Sequence, residues 1–228
     1  MRDQTGYGGY MPETTWFRSD TGVRWAFESG ATCLDFAYLG GFAPDAFGPA
    51  SGLPGATTDS AWDGLLVAAD LGDWLAERFG PLGAAPSDRE LTDARALRDA
   101  IARLALSAAD GHAPQSRDID AVNLYAAVPD VPPSLPGGGR QAGAVRLRVS
   151  QAMASVARDA VHMLAGVGFV GDPARRLRRC AADDCGLVFH DDSRAGTRRW
   201  CSMTKCGNRA KVRAHRARAA VPASKPQA

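Results

Sequence analysis

The sequence predicts a mainly α (α+β) protein with a few short strands that ends in a small cysteine-bearing module. Three observations lead there. Between residues 67 and 165, four stretches repeat apolar residues at helical spacing. Two other stretches, 40–58 and 129–143, are too rich in Gly, Pro and Ala to continue any regular element, and they separate the ordered pieces. Four of the five cysteines gather between residues 180 and 206. The expected division is a mainly helical domain over 1–171, the cysteine module over 172–219 and a flexible tail over 220–228. Gly166, Gly168, Gly171 and Asp172-Pro173 supply the hinge between the first two.

Composition bounds the problem. At 228 residues and 45% hydrophobic content the chain can bury its own core. Its formal net charge of +2 hides a division. Residues 1–174 hold 13 Lys and Arg against 21 Asp and Glu, a net −8, whereas residues 175–218 hold 13 against 4, a net +9. An acidic body with a basic end is a two-part design. The N-terminal residues have no signal-like apolar core and no run approaches membrane-spanning length, so a cytoplasmic protein without membrane contact is expected. There thiols stay reduced, and paired cysteines favour metal over disulfide.

The elements follow in order. Residues 1–15 are polar and Gly-rich and are expected to be partly disordered. Arg24-Trp25-Ala26-Phe27 reads as a short strand, Ser29-Gly30 as a turn, and Cys33 to Leu39 as a strand or the start of a helix. Val67 to Phe79 places Val67, Leu71, Trp74, Leu75 and Phe79 on one helical face and stops at Gly80-Pro81. Ser87 with Glu90 makes a capping box for a helix to Asp110, with Leu91, Ala94, Leu97, Ile101, Leu104 and Ala108 as its stripe and Gly111 closing it. Ser116 to Ala127 is a shorter helix that turns Ile119, Val122 and Ala126 inward. Ser150 caps a last helix over Gln151 to Ala165, with Met153, Val156, Ala160, Val161 and Leu164 inward. Ala144 to Arg148, before it, is a strand or a helix lead-in.

The cysteines carry the chemistry. Cys180 pairs with Cys185 and Cys201 with Cys206, each pair enclosing four residues, with fifteen residues between the pairs. Two cysteine pairs across a short loop suit one structural Zn²⁺, which takes four soft ligands at tetrahedral corners. Leu187-Val188-Phe189 and Arg199-Trp200 are expected to pair as a hairpin across the turn-forming Asp191, Asp192, Ser193 and Gly196, which brings Cys185 close to Cys201. The helix-prone segment after Cys206 completes a zinc-ribbon or treble-clef-like module. Cys33 lies outside it and reads as a small buried hydrophobe.

At this point the chain resembles a known family. The segment RRWCSMTKCGNRAK is similar to the signature of the CGNR zinc-finger proteins, named for the tetrapeptide here spanning Cys206 to Arg209. The resemblance is specific over Arg175 to Arg218. Upstream it rests on Cys33-Leu-Asp-Phe and Ile119-Asp-Ala-Val-Asn-Leu, where such proteins carry an N-terminal ABATE domain. Position 38 is Tyr where the family pattern leads one to expect asparagine, so no role of that asparagine carries over. The resemblance implies a stress-induced transcription regulator.

Four thiolates leave a zinc ion no open position, so its expected role is structural and no enzyme is expected. His190, Asp191 and Asp192 read as turn residues, His112 and His162 as isolated, and no phosphate loop follows a strand. The basic residues are the stronger signal. Arg209, Arg213 and Arg216 share one face of the terminal helix and Lys211, His215 and Arg218 another. Arg194, Arg198, Arg199 and Lys205 extend the positive field across the hairpin and knuckle. That density suits a phosphate backbone, double-stranded DNA in the first reading, with RNA fitting the charge equally well. The rival readings are a basic module docked on its own acidic body, and a ligand-sensing or protein-interaction protein braced by zinc. In the latter, Trp25, Trp62 and Trp74 would line a small-molecule pocket.

Overall fold

The computed structural model describes residues 15–18, 24–39, 64–132, 146–167, 176–182 and 185–220. The chain is mainly α. Strands β1 (Thr15–Arg18) and β2 (Arg24–Phe27) form an antiparallel pair in the register Thr15↔Phe27. A short helix α1 (Thr32–Ala37) follows, then α2 (Ala68–Phe79), α3 (Asp88–Asp110), α4 (Ser116–Ala126) and α5 (Val149–Val167). The cysteine module contains β3 (Leu177–Arg179), β4 (Val188–His190), a single π-helical turn (Met203–Gly207) and α6 (Asn208–Ala220). Among the described residues no helix is long and apolar enough to cross a membrane.

Helix α3 is the hub: α1, α2, α4, α5, β3 and β4 all pack on it. Its capping box forms as the sequence implies, with Ser87 Oγ accepting from Glu90 N and Glu90 Oε2 accepting from Ser87 N. Gly111 closes it in the left-handed region, at φ +71°. The buried surface is wider than the six-residue stripe, because Arg98, Ala100, Ala102 and Ala105 are buried too. A helix surrounded by others must be small or apolar on most sides. Arg103, on its half-buried side, holds the buried Asp118 of α4 through two nitrogens at 2.7–3.0 Å.

Several elements differ from expectation. The stretch Cys33–Leu39 resolves as helix α1, which buries Cys33, Leu34, Asp35, Phe36 and Ala37. Strand β1 was not anticipated. Helix α5 opens at Val149, so Ser150 falls inside the first turn and does not cap it. Gln151 Oε1 instead reaches back to Arg148 N at 3.2 Å, the return half of a capping box. Leu147 makes an isolated parallel bridge to Leu82. The loops at 40–58 and 133–143, the hinge beyond Val167 and the tail after Ala220 lie outside the described residues, as do residues 1–14.

The boundary expected near residue 171 also lies there, but the two sides of it share one core. Leu177, Leu187, Val188 and Phe189, with Cys180, Cys201 and Cys206, belong to the same buried cluster as Phe27, Phe36, Leu97, Ile101 and Met153.

Candidate metal centre

The hairpin that carries the first cysteine pair is built from residues on both sides of that pair. Strand β4 pairs antiparallel with β3, in the register Leu177↔His190, Arg178↔Phe189 and Arg179↔Val188. The expected pairing of Leu187–Phe189 with Arg199–Trp200 does not occur, and Arg199-Trp200 is not a strand. Cys180 and Cys185 therefore sit on the turn of β3–β4, a zinc knuckle. The 199–200 stretch touches it through one backbone bond, from Ala181 N to Arg199 O at 2.8 Å. β3 could not be read from periodicity, because its sequence is Leu-Arg-Arg.

Asp191 turns the chain back toward the second pair. Buried beyond the end of β4, it accepts from Ser193 N, Ser193 Oγ and Arg198 N. Arg176 donates to the carbonyls of Asp191 and Ser193, and Arg178 to that of Gly196. Burial alone would raise the Asp191 carboxyl. The hydrogen bonds from Ser193 and Arg198, helped by Arg178, outweigh it and hold the group below the ordinary carboxylate range. The turn reading of Asp191 holds. His190 is half-buried, and burial lowers its imidazole. His112 and His162 lie on the surface.

The second pair opens the terminal helix, and each residue of the tetrapeptide at 206–209 has a separate job there. Cys206 presents its sulfur from the π-helical turn. Gly207 lets Met203 and Trp200 close in on the backbone: a Cβ would lie 2.8 Å from Met203 Sδ and 2.9 Å from Trp200 Cδ1, and both would have to shift. Asn208 Nδ2 donates to Thr204 O at 3.2 Å, tying the π-turn to the helix. Arg209 Nη2 lies 3.5 Å from Cys206 Sγ as a donor. Only the first of these jobs is visible from cysteine spacing.

The four sulfurs of Cys180, Cys185, Cys201 and Cys206 all lie within 4.8 Å of one another, with Cys185–Cys201 at 3.6 Å and Cys201–Cys206 at 3.7 Å. A tetrahedral ion with metal–sulfur bonds of ~2.3 Å needs sulfurs about 3.8 Å apart, so the donor set fits zinc. Hydrogen bonds among the four sulfurs hold Cys180 far below the ordinary thiol range and lower Cys206 to about 7, and they push Cys185 and Cys201 above it. Three ligands are buried and Cys185 is half-buried, which leaves a closed site. Cys201 N adds a hydrogen bond to Cys180 Sγ at 3.5 Å. Cys33 is buried elsewhere, its backbone N–H held by Asp159.

The centre is joined to the helical body along residues 28–38. Glu28 N donates to Cys201 O and His190 N to Ser29 O. Gly30, at φ +81°, lies so close to the His190 carbonyl that a Cβ would stand 2.2 Å from its oxygen. The Tyr38 hydroxyl accepts from Val188 N at 3.1 Å. The tyrosine that departs from the family pattern is thus a contact between body and hairpin. On the far side, Arg179 donates to both carboxylate oxygens of Asp110 at the end of α3.

The basic residues fall into two groups. Arg198 donates to the carbonyls of Glu28, Trp200 and Cys201, and its guanidinium lies 4.3 Å over the Phe189 ring. It braces the loop. Arg209 faces the Cys206 sulfur, and Lys205 is half-buried beside it. Arg194 and Arg199 are exposed, Arg199 stacked on Trp200 at 4.4 Å. Lys211, Arg213 and Arg216 are exposed on α6, as is every residue from 211 to 219. Ala210 is half-buried, and Ala214 and Ala217 are exposed. The helix packs chiefly on the π-turn that starts it.

Comparison with known proteins agrees with this anatomy. The ABATE family model, described as "Putative stress-induced transcription regulator", matches residues 30–167, and the CGNR zinc finger model matches residues 176–219. No curated protein matches the chain.

Proposed function

The chain belongs to the ABATE family and carries a CGNR zinc finger, and from that premise we propose that it is a DNA-binding transcription regulator with one structural zinc. Cys180, Cys185, Cys201 and Cys206 hold the ion. It cross-links the β3–β4 knuckle to the first turn of α6, and the protein has no reaction of its own. Zinc with four thiolates carries a formal −2, which Arg209 partly offsets at Cys206.

One observation carries the nucleic-acid reading. Helix α6 holds five Lys and Arg and no acid, and its residues from 211 to 219 are exposed. Thirteen residues make a helix about 20 Å long, narrow enough for the roughly 12 Å major groove of B-DNA. Lys211, Arg213 and Arg216 neutralise phosphates or reach guanine edges, while Arg198 and Arg209 hold the scaffold. A helix this polar gains little from packing, so the zinc end and the partner's phosphates fix it.

The test is binding of the zinc-loaded full chain to a 20-base-pair duplex, read by fluorescence anisotropy as salt is varied. Three phosphates neutralised, one each by Lys211, Arg213 and Arg216, give a slope of log K against log[salt] of about −2.7. Absence of binding at low salt, or a flat salt dependence, overturns the reading. Tighter binding to an RNA hairpin of equal length transfers it to RNA.

A small-molecule site in the helical body has one observation in its favour. Trp74 is buried between Phe36 and Phe79 under the Arg78 guanidinium, yet its indole N–H meets no acceptor among the described residues. Trp25 and Trp62, its expected companions, have side chains outside the described residues.

A further inference from the structure

Helix α6 has a second face. Ala210, Lys211 and Ala214 line one wall of a cleft of ≈ 600 Å³, and the chain from Thr197 to Met203 lines the other. Arg209, Arg213 and Arg216 project from roughly the opposite side of the helix, given its rotation per residue. The cleft floor is apolar: the Trp200 ring, the thioether of Met203, Gly207, Ala210 and Ala214. Met203 is 53% exposed, a large apolar side chain open to the cleft. The charged residues on the lining are all cations, Arg198, Arg199 and Lys211. Arg198 is engaged with backbone carbonyls, so the rim charge comes from Lys211 and from Arg199, whose guanidinium stacks on the Trp200 ring.

This combination decides between partners. The phosphate backbone of a duplex gains from cations and polar donors, and a floor of Trp200, Met203, Gly207 and two alanines offers its phosphates nothing. A peptide with bulky apolar side chains gains from the floor, and its carboxylates gain from the rim. An unbranched methionine adapts to whichever side chain arrives. The volume accommodates two or three side chains and falls within the range of small binding sites.

We propose that the cleft between α6 and residues 197–203 docks a short acidic peptide segment of a partner protein, with an aromatic or leucine side chain resting on Trp200 and Met203. This goes beyond DNA binding and does not depend on it: the cleft is turned away from Arg209, Arg213 and Arg216, and Lys211 is the residue the two surfaces share.

The experiment pans a phage-displayed library of random twelve-residue peptides against the zinc-loaded full chain. The enriched sequence is then synthesised, and its affinity measured by anisotropy. Enriched sequences are expected to carry Asp or Glu around Phe, Trp or Leu. Ala214→Trp, which fills the cleft from an exposed position, should weaken the peptide at least tenfold while zinc content and duplex binding stay at parental values. Lys211→Glu should weaken the peptide by a similar factor, and the duplex as well, because Lys211 lies on both surfaces. Met203→Ser, also at an exposed position, is the second variant should Ala214→Trp lose zinc. The proposal is overturned if no acidic, apolar sequence is enriched, or if filling or stripping the floor leaves peptide affinity unchanged. It is also overturned if Ala214→Trp abolishes duplex binding, which would place nucleic acid in the cleft.

Discussion

The hairpin half of the cysteine module, residues 176–200, and its terminal helix, residues 208–220, carry six and five Lys and Arg respectively. In the hairpin half, four of the six are turned inward. Arg176 and Arg178 bond the carbonyls of the 191–196 turn, Arg179 clamps Asp110, and Arg198 spans the loop to Glu28. In the helix, Arg209 alone faces the cysteines, and Lys211, Arg213, Arg216 and Arg218 are exposed. Charge counted along a sequence is therefore not charge on a surface. The +9 of residues 175–218 is divided between a scaffold that needs guanidiniums as multidentate donors and a helix that presents them.

The largest effect should come from removing the tie between the halves. Because the knuckle strands share a core with α1 and α3, chelation or Cys206→Ser should unfold more than the module. Structural zinc contributes on the order of 10 kcal/mol in comparable small sites. The expected result is one melting transition at lower temperature, with helical circular dichroism lost in the same step. Two resolved transitions, the first small, would separate the halves.

The next effect tests the inward arginines. Arg198→Ala removes three carbonyl contacts and the stack on Phe189 and should cost about 3 kcal/mol in denaturant unfolding, whereas Arg216→Ala should stay within about 0.5 kcal/mol. Equal costs would erase the distinction between scaffold and display.

A smaller effect belongs to Asp191. Asp191→Asn turns an NH₂ toward donors and should cost about 1–3 kcal/mol at neutral pH. The carboxyl is held below its ordinary value of about 3.9, so its contribution is complete above that pH and lost as pH falls through the lowered value. Unfolding measured on parent and variant should give curves that converge in acid.

How much of this was legible depended on whether the signal was local. The capping box at Ser87–Glu90, the turn chemistry of Asp191 and the four ligands each sit in a few consecutive residues or a fixed spacing, and could be read directly. The partner of β4 could not. Leu177-Arg178-Arg179 has no alternation, and what makes it a strand is Phe189 and Val188 burying across it. The direction of each arginine was equally hidden, because Arg198 and Arg199 are neighbours that differ only in which carbonyls lie within reach. Tyr38 looked like a departure from a pattern until the fold placed Val188 N against its hydroxyl.

The central claim is that α6, and not the hairpin, presents the nucleic-acid surface. It is tested most directly by replacing Lys211, Arg213 and Arg216 with alanine together and measuring duplex affinity across a salt series, with zinc content and melting temperature recorded alongside. The account predicts parental zinc and stability, weaker binding, and a slope shallower by up to about 2.7. A variant that keeps zinc and stability and binds the duplex as tightly as the parent at every salt concentration, with an unchanged slope, would contradict it.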